Sequence, residues 1–186
     1  LRRALEKPGR TAALVTPDRA LARRVAVELG RWNIAIDDSA GEPLSNTPVG
    51  TFLRLLASCI AERLAPVSLL ALLKHPMARA GFAAGEFKSR VRQLELLALR
   101  GPRPTNGFAG LWAALENTAV SQELREWLTK IEVAATPLAN LLGADGTVSV
   151  KELVAAHIVF AETLAATETS SGSERLWAGE DGEAAA

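Results

Sequence analysis

The stretch 11-TAALVTPDRALARRVAVELGRWNIAI-36 decides how the N-terminal part of the chain is read. Residues 11–16, T-A-A-L-V-T, are short, apolar and followed by a proline, the pattern of a buried strand. Asp18 stands where a helix cap belongs, because its carboxylate accepts from the free backbone N–H groups of a first turn. Leu21, Val25 and Leu29 recur every four residues, which predicts a core-facing stripe. Gly30 is expected to help end that helix, and residues 34–36, I-A-I, suit a second strand. A strand, a helix and a strand this close together imply a right-handed parallel crossover. Two strands do not make a stable sheet alone, so the remaining strands are expected in sequence outside this chain.

From residue 47 the pattern changes to helix. Thr47 suits an N-cap and Pro48 a first helical position, with Phe52, Leu56, Cys59 and Ile60 inward over a helix reaching about Leu64. Pro66 opens a short helix that must stop before His75-Pro76. Residues 84–100 predict a third, with Phe87, Val91, Leu94 and Ala98 on one face, ended by Gly101 and Pro102. A helix at about 108–118 carries Trp112. Ser121 starts the next, with Leu124, Leu128 and Ile131 inward; Pro137 is expected to break or kink it, with Thr136 capping a short continuation. Ser149 and Glu152 read as a capping box before a helix bearing Val150, Leu153, Val154, Phe160 and Leu164. Residues 169–173, T-S-S-G-S, read as a flexible loop. The expected fold class is therefore mixed and mainly α. A small parallel β-α-β piece, residues 1–46, precedes an all-helical domain, residues 47–186, truncated at its C-terminus.

Composition narrows the function classes. The 186 residues are 48% hydrophobic and 23% charged, enough apolar material for a core and too much for a disordered chain. The chain begins at Leu1 and ends G-E-D-G-E-A-A-A, so both ends read as cut and an internal fragment is expected. The N-terminal L-R-R-A-L-E-K lacks the apolar segment of a signal peptide, no apolar run approaches membrane-spanning length, and a cytoplasmic location is expected. A single cysteine, Cys59, cannot build a disulfide framework, a zinc site or an iron–sulfur site; within L-L-A-S-C-I-A it reads as a small core residue. Net charge is zero, but residues 1–104 hold 17 Lys and Arg against 9 Asp and Glu, while residues 105–186 hold 4 against 12. That asymmetry suits a nucleic-acid face on one half, or two halves that attract each other.

Candidate chemistry is sparse. The T-P-D-R turn lacks the glycines that let backbone approach a phosphate, and no G-x-x-x-x-G-K-[ST] occurs. Asp37 and Asp38 follow a predicted strand, a common place for catalytic carboxylates, but consecutive strand residues face opposite ways, and D-D-S-A-G reads better as a polar turn. His75 ends a helix, where the dipole favours a cation; His157 reads as a satisfied core histidine. No Ser/His/Asp arrangement, H-E-x-x-H or C-x-x-C is present. No catalytic, cofactor-binding or metal-binding residue is assigned. Arg19, Arg23 and Arg24, on the exposed side of the first helix, are the candidate nucleic-acid contacts, since the guanidinium fork suits phosphate. Arg24 has Glu28 at i+4, so part of that charge can pair locally.

Taken in order, T-A-A-L-V-T-P-D-R-A-L-A-R-R-V-A-V-E-L, W-N-I-A-I-D-D-S-A-G-E-P-L-S-N-T-P-V-G-T-F-L-R-L-L-A, L-L-A-L-L-K-H-P, L-R-G-P-R-P and L-W-A-G-E-D-G-E closely resemble AddB of the alphaproteobacterial type. This is the double-strand break repair subunit of the AddAB helicase–nuclease. The resemblance runs from about Thr11 to Glu183. It implies a larger protein with superfamily-1 helicase-like domains and a C-terminal nuclease, working with AddA on duplex ends, using ATP and Mg²⁺, to yield a single strand for recombination. Neither the phosphate loop nor the nuclease carboxylates match any position here. The opening segment resembles the fourth helicase motif, in which a turn Arg reaches the ATP γ-phosphate; that place falls on Thr16, which cannot neutralise a phosphate. The resemblance thus implies a non-catalytic, helicase-like fragment that guides DNA or contacts AddA. The alternative is a helical scaffold that contacts AddA without touching DNA.

Overall fold

Asp18 caps the first helix as its position requires: Oδ1 accepts from the N–H groups of Ala20 and Leu21 at 2.8 and 3.1 Å. Helix α1 spans Arg19–Gly30. This is a computed structural model, and it describes residues 6, 9–34, 36–39, 41 and 43–186. The chain divides into two compact units, Leu1–Gly41 and Glu42–Ala186.

The first unit corrects the β-α-β expectation. Among the described residues there is no strand. Residues 11–16 make no ladder, and Val15 is 93% exposed. A strand exists only through hydrogen bonds to a neighbouring strand, and apolar residues 14 and 15 meet none among the described residues. At the other end the helix itself takes the donor. Asn33 adopts a left-handed conformation, φ +54°, and the Ile34 N–H donates back to Leu29 O at 3.1 Å. This is a Schellman-type closure, made by Asn33 rather than Gly30, and it commits the first residue of the expected second strand to the helix end. Ala35, between Ile34 and Ile36, lies outside the described residues. The expected core stripe is corrected too: α1 has no buried residue, and Leu21 is exposed.

The second unit is a helical assembly whose caps are legible residue by residue. A 3₁₀ turn, Leu44–Asn46, precedes Thr47. The Thr47 hydroxyl donates to Leu44 O and accepts from the Gly50 N–H, at 2.9 and 3.2 Å, so α2 (Pro48–Ala61) starts on a buried threonine. A Cβ on Gly50 would collide with Leu44 O, which is why a residue without a side chain stands where the turn crosses the helix. Helix α2 buries Val49, Phe52, Leu56, Cys59 and Ile60, near-complete agreement with the predicted face. It ends at Ala61, three residues early, because Arg63 and Leu64 turn left-handed and the Leu64 N–H returns to Cys59 O.

Helix α3 is Pro66–Leu73. Helix α4, Ala84–Leu94, passes into a π-helical turn at Glu95–Leu99, with Phe87, Val91, Leu94 and Ala98 buried as the spacing predicts. Helices α5 (Gly107–Leu115), α6 (Gln122–Leu142), α7 (Val150–Ala165), α8 (Gly172–Leu176) and α9 (Gly179–Ala185) follow. Helix α2 packs on α3, α6, α7 and α9; α7 lies between α6 and α8; α4 leans on α6. The core they share includes Phe52, Leu56, Leu72, Phe87, Trp127, Leu138 and Phe160.

Three local readings change. Pro137 does not break α6, which runs unbroken through it. The carbonyl it leaves without a helical donor belongs to exposed Val133, where water can satisfy it. Thr136 caps nothing; its hydroxyl donates to Glu132 O within the helix. The capping box lies at Ser171 and Glu174 instead of Ser149 and Glu152. Residues 169–173 are thus a structured helix entry, with Thr167 Oγ1 accepting from the Ser170 N–H at 2.9 Å.

Candidate nucleic-acid interface

The structure separates the arginines of α1. Arg19 is held in a two-pronged pair, Nη1 and Nη2 each 3.0 Å from an oxygen of Asp38, and Nη2 also donates to Gly41 O at 3.0 Å. Its guanidinium therefore ties the helix start to the D-D-S-A-G turn, and the pairing raises its pKa further. Arg31 pairs with Glu28 at 3.0 Å, so Glu28 turns to i+3 rather than back to Arg24. Arg23 and Arg24 are exposed, with no ion pair among the described residues. Of the three predicted contacts, two are free to meet a phosphate and one is spoken for.

The second unit holds a basic recess that sequence reading missed. Its floor is Leu73, Pro76, Phe87 and Val91; Lys74, Arg79, Lys88 and Arg92 surround it with His75 and Glu95, and its volume is about 480 Å³. Lys88 and Arg92 are one helical turn apart on exposed positions of α4, without an ion pair among the described residues. Glu95, the recess's one carboxylate, is bridged by Lys74 at 2.7 Å and Arg100 at 3.0 Å. Hydrogen bonds from those two cations hold its pKa below the usual carboxylate range.

The loop carrying His75 and Arg79 is clamped from behind. Arg175 on α8 donates to Met77 O and Ala165 O. The N–H groups of Arg79 and Ala80 both donate to Leu164 O at 2.8 Å, and the Gly81 N–H donates to Ala166 O at 2.7 Å. Loop 75–81 is thus fastened to the end of α7. The signal available in sequence was the positive excess of residues 1–104, together with Lys88 and Arg92 at i+4. Nothing local says that α4 and the α3 end enclose one recess.

His75 is not the cationic cap its position suggested. It is half-buried with its ring 5.4 Å from Phe52, burial lowers its pKa, and Nδ1 accepts from the Met77 N–H at 3.2 Å. Nε2 then carries the hydrogen in the neutral ring. His157 is the satisfied histidine expected: Nε2 donates to Leu53 O at 3.1 Å. Cys59 is fully buried, its thiol pushed up to about 12 by burial, so it is a packing residue rather than a nucleophile. Among the described residues no group of three His, Cys, Asp or Glu could hold a metal ion, and no helix is long and apolar enough to cross a membrane. Compared with models of protein families, with curated proteins and with solved structures, the chain matches none.

Proposed function

We propose that this chain is a non-catalytic part of an AddB-type double-strand break repair protein, which with AddA processes duplex DNA ends for recombination. In this reading ATP and Mg²⁺ serve the parent complex, and this part guides DNA rather than turning over substrate. The observation that carries the reading is the ordered set of AddB-like sequence blocks, which begins in the first unit and continues through α9. Arg23 and Arg24, exposed and without an ion pair among the described residues, support a DNA contact, because arginine forks bind phosphate without reading sequence. Arg19 drops from the contact set, since Asp38 already holds it.

The test is made in the AddAB complex. Replacing Arg23 and Arg24 by alanine weakens DNA-end binding, and the dependence of log K on log salt becomes shallower by about 1.8 for two lost duplex contacts. Unchanged binding across a salt series would remove both residues from the interface. The scaffold alternative draws on a different observation: Val15, Val27 and Trp32 are exposed, Trp32 to 76%, and large apolar groups in water suit a protein partner. Capture of AddA that survives nuclease digestion, together with unaltered DNA binding by the arginine variant, selects that alternative.

A further inference from the structure

We infer that the recess between α4 and the loop after α3 is a binding site for the sugar–phosphate backbone of single-stranded nucleic acid. The choice of nucleic acid over another polyanion rests on the function proposed above; the site itself rests on geometry. Four cations, Lys74, Arg79, Lys88 and Arg92, line it against one carboxylate, and that carboxylate is already neutralised by Lys74 and Arg100. The recess therefore presents uncompensated positive charge, and its apolar floor strengthens the field of the cations at its rim.

Lys88 and Arg92 supply most of the available charge. They are exposed and without an ion pair among the described residues, and an i,i+4 pair sets its Cβ atoms about 5–6 Å apart on one helix face. Arg79 also lines the recess, its guanidinium donating to Ala78 O at 2.6 Å, on a loop that Arg175 and three backbone hydrogen bonds pin to the end of α7, so that wall of the recess is pre-formed. His75 also lines the recess, its ring fixed by the Met77 N–H, which donates to Nδ1.

Shape selects the strand form. A concavity of about 480 Å³ admits a phosphate and sugar, and a flexible open strand can bend its backbone into it where a duplex, stiff over about 150 base pairs, cannot. Its lining carries two aromatic rings, buried Phe87 and half-buried His75, and neither is fully exposed for base stacking, so phosphate contacts dominate and the hold is indifferent to sequence.

The experiment measures fluorescence anisotropy of a labelled twenty-nucleotide oligo(dT) with the whole 186-residue chain, over a salt series. The wild-type chain is compared with Lys88→Ala/Arg92→Ala and with Arg23→Ala/Arg24→Ala, each checked for native helix content by circular dichroism. The recess pair is expected to weaken oligo(dT) binding about tenfold and to flatten the log K against log salt slope by about 1.4, the contribution of two single-strand contacts. An equal-length duplex is expected to bind more weakly and to respond less to the recess pair. Absent binding by the wild-type chain, or unchanged binding by the recess pair, overturns the inference. So does duplex binding as tight and as sensitive to that pair, or poly-L-glutamate competing as well per charge as unlabelled oligo(dT). Loss confined to the Arg23/Arg24 variant would overturn the recess while leaving the DNA-guiding role intact.

Discussion

Thr47 shows how much one side chain can settle. It is buried, yet its hydroxyl is satisfied twice, as a donor to Leu44 and an acceptor from Gly50. It joins the 3₁₀ turn to α2 and satisfies a backbone donor that no helical carbonyl reaches. Thr47→Ala is expected to destabilise the chain by about 1–2 kcal/mol, read as a lower urea midpoint with an unchanged slope. Thr47→Ser, which keeps the hydroxyl, recovers most of the loss. The same local logic made Asp18, Ser121 and Ser149 readable as caps from sequence, since a cap needs only its own residue and the next three. It misjudged His75, whose position at a helix end suggested a cation. The ring packs against Phe52, distant in sequence, and desolvation there favours the neutral form.

At the scale of elements, α6 carries an internal proline and remains one helix. Pro137 is exposed, removes the donor for Val133 O, and sits between buried Ala135 and Leu138. Packing of Leu128, Ile131, Ala135 and Leu138 along one face outweighs the missing bond, as tertiary burial commonly does for helices. Restoring the donor through Pro137→Ala is expected to stabilise the chain by about 1 kcal/mol or more. That appears as a rise in thermal midpoint, and an unchanged or lower midpoint would contradict it. Helix α8 illustrates the opposite case. Its five residues are too short to stand alone, but the Ser171–Glu174 box starts it and Trp177 Nε1 donates to Glu162 at 2.7 Å. A Cβ on Gly172 would collide with Glu162 O, so the glycine that made this stretch look like a flexible loop is what allows its close approach to α7.

For the whole molecule, both histidines tie stability to pH. Burial lowers the pKa of His75 and of His157 below 6.5. The unfolded chain then takes up protons more readily than the folded one. Their contribution is fully present above the unfolded value and is lost as pH falls through it toward the lower folded values. The urea midpoint is expected to fall between pH 7.5 and pH 5.5, windows set by the ordinary histidine pKa of about 6.5, and His75→Gln/His157→Gln flattens that fall. Part of the positive excess of residues 1–104 is also placed at this scale. Positive charge from the end of α3 and from α4 gathers around one recess, while Glu95 is neutralised by its own neighbours. Sequence counts reported the excess; only the folded chain says that four of those 17 cations share one recess.

The sequence by itself determined helices α2 to α7 of the second unit, their starts and most of their buried faces, but not α8, whose entry read as a loop. Caps and a 3.6-residue apolar period are local, and each residue type does its work within one turn. It also determined that Cys59 packs and that no phosphate loop is present. Tertiary structure decided whether residues 11–16 and 34–36 become strands, since a strand needs hydrogen-bonding partners that no local pattern supplies, and the described residues give them none. It likewise decided which arginines are free: Asp38, 19 residues away, holds Arg19 and leaves Arg23 and Arg24 exposed. The basic recess belongs to the same class, because its cations come from two elements that meet only when α3 and α4 are folded against a shared apolar floor.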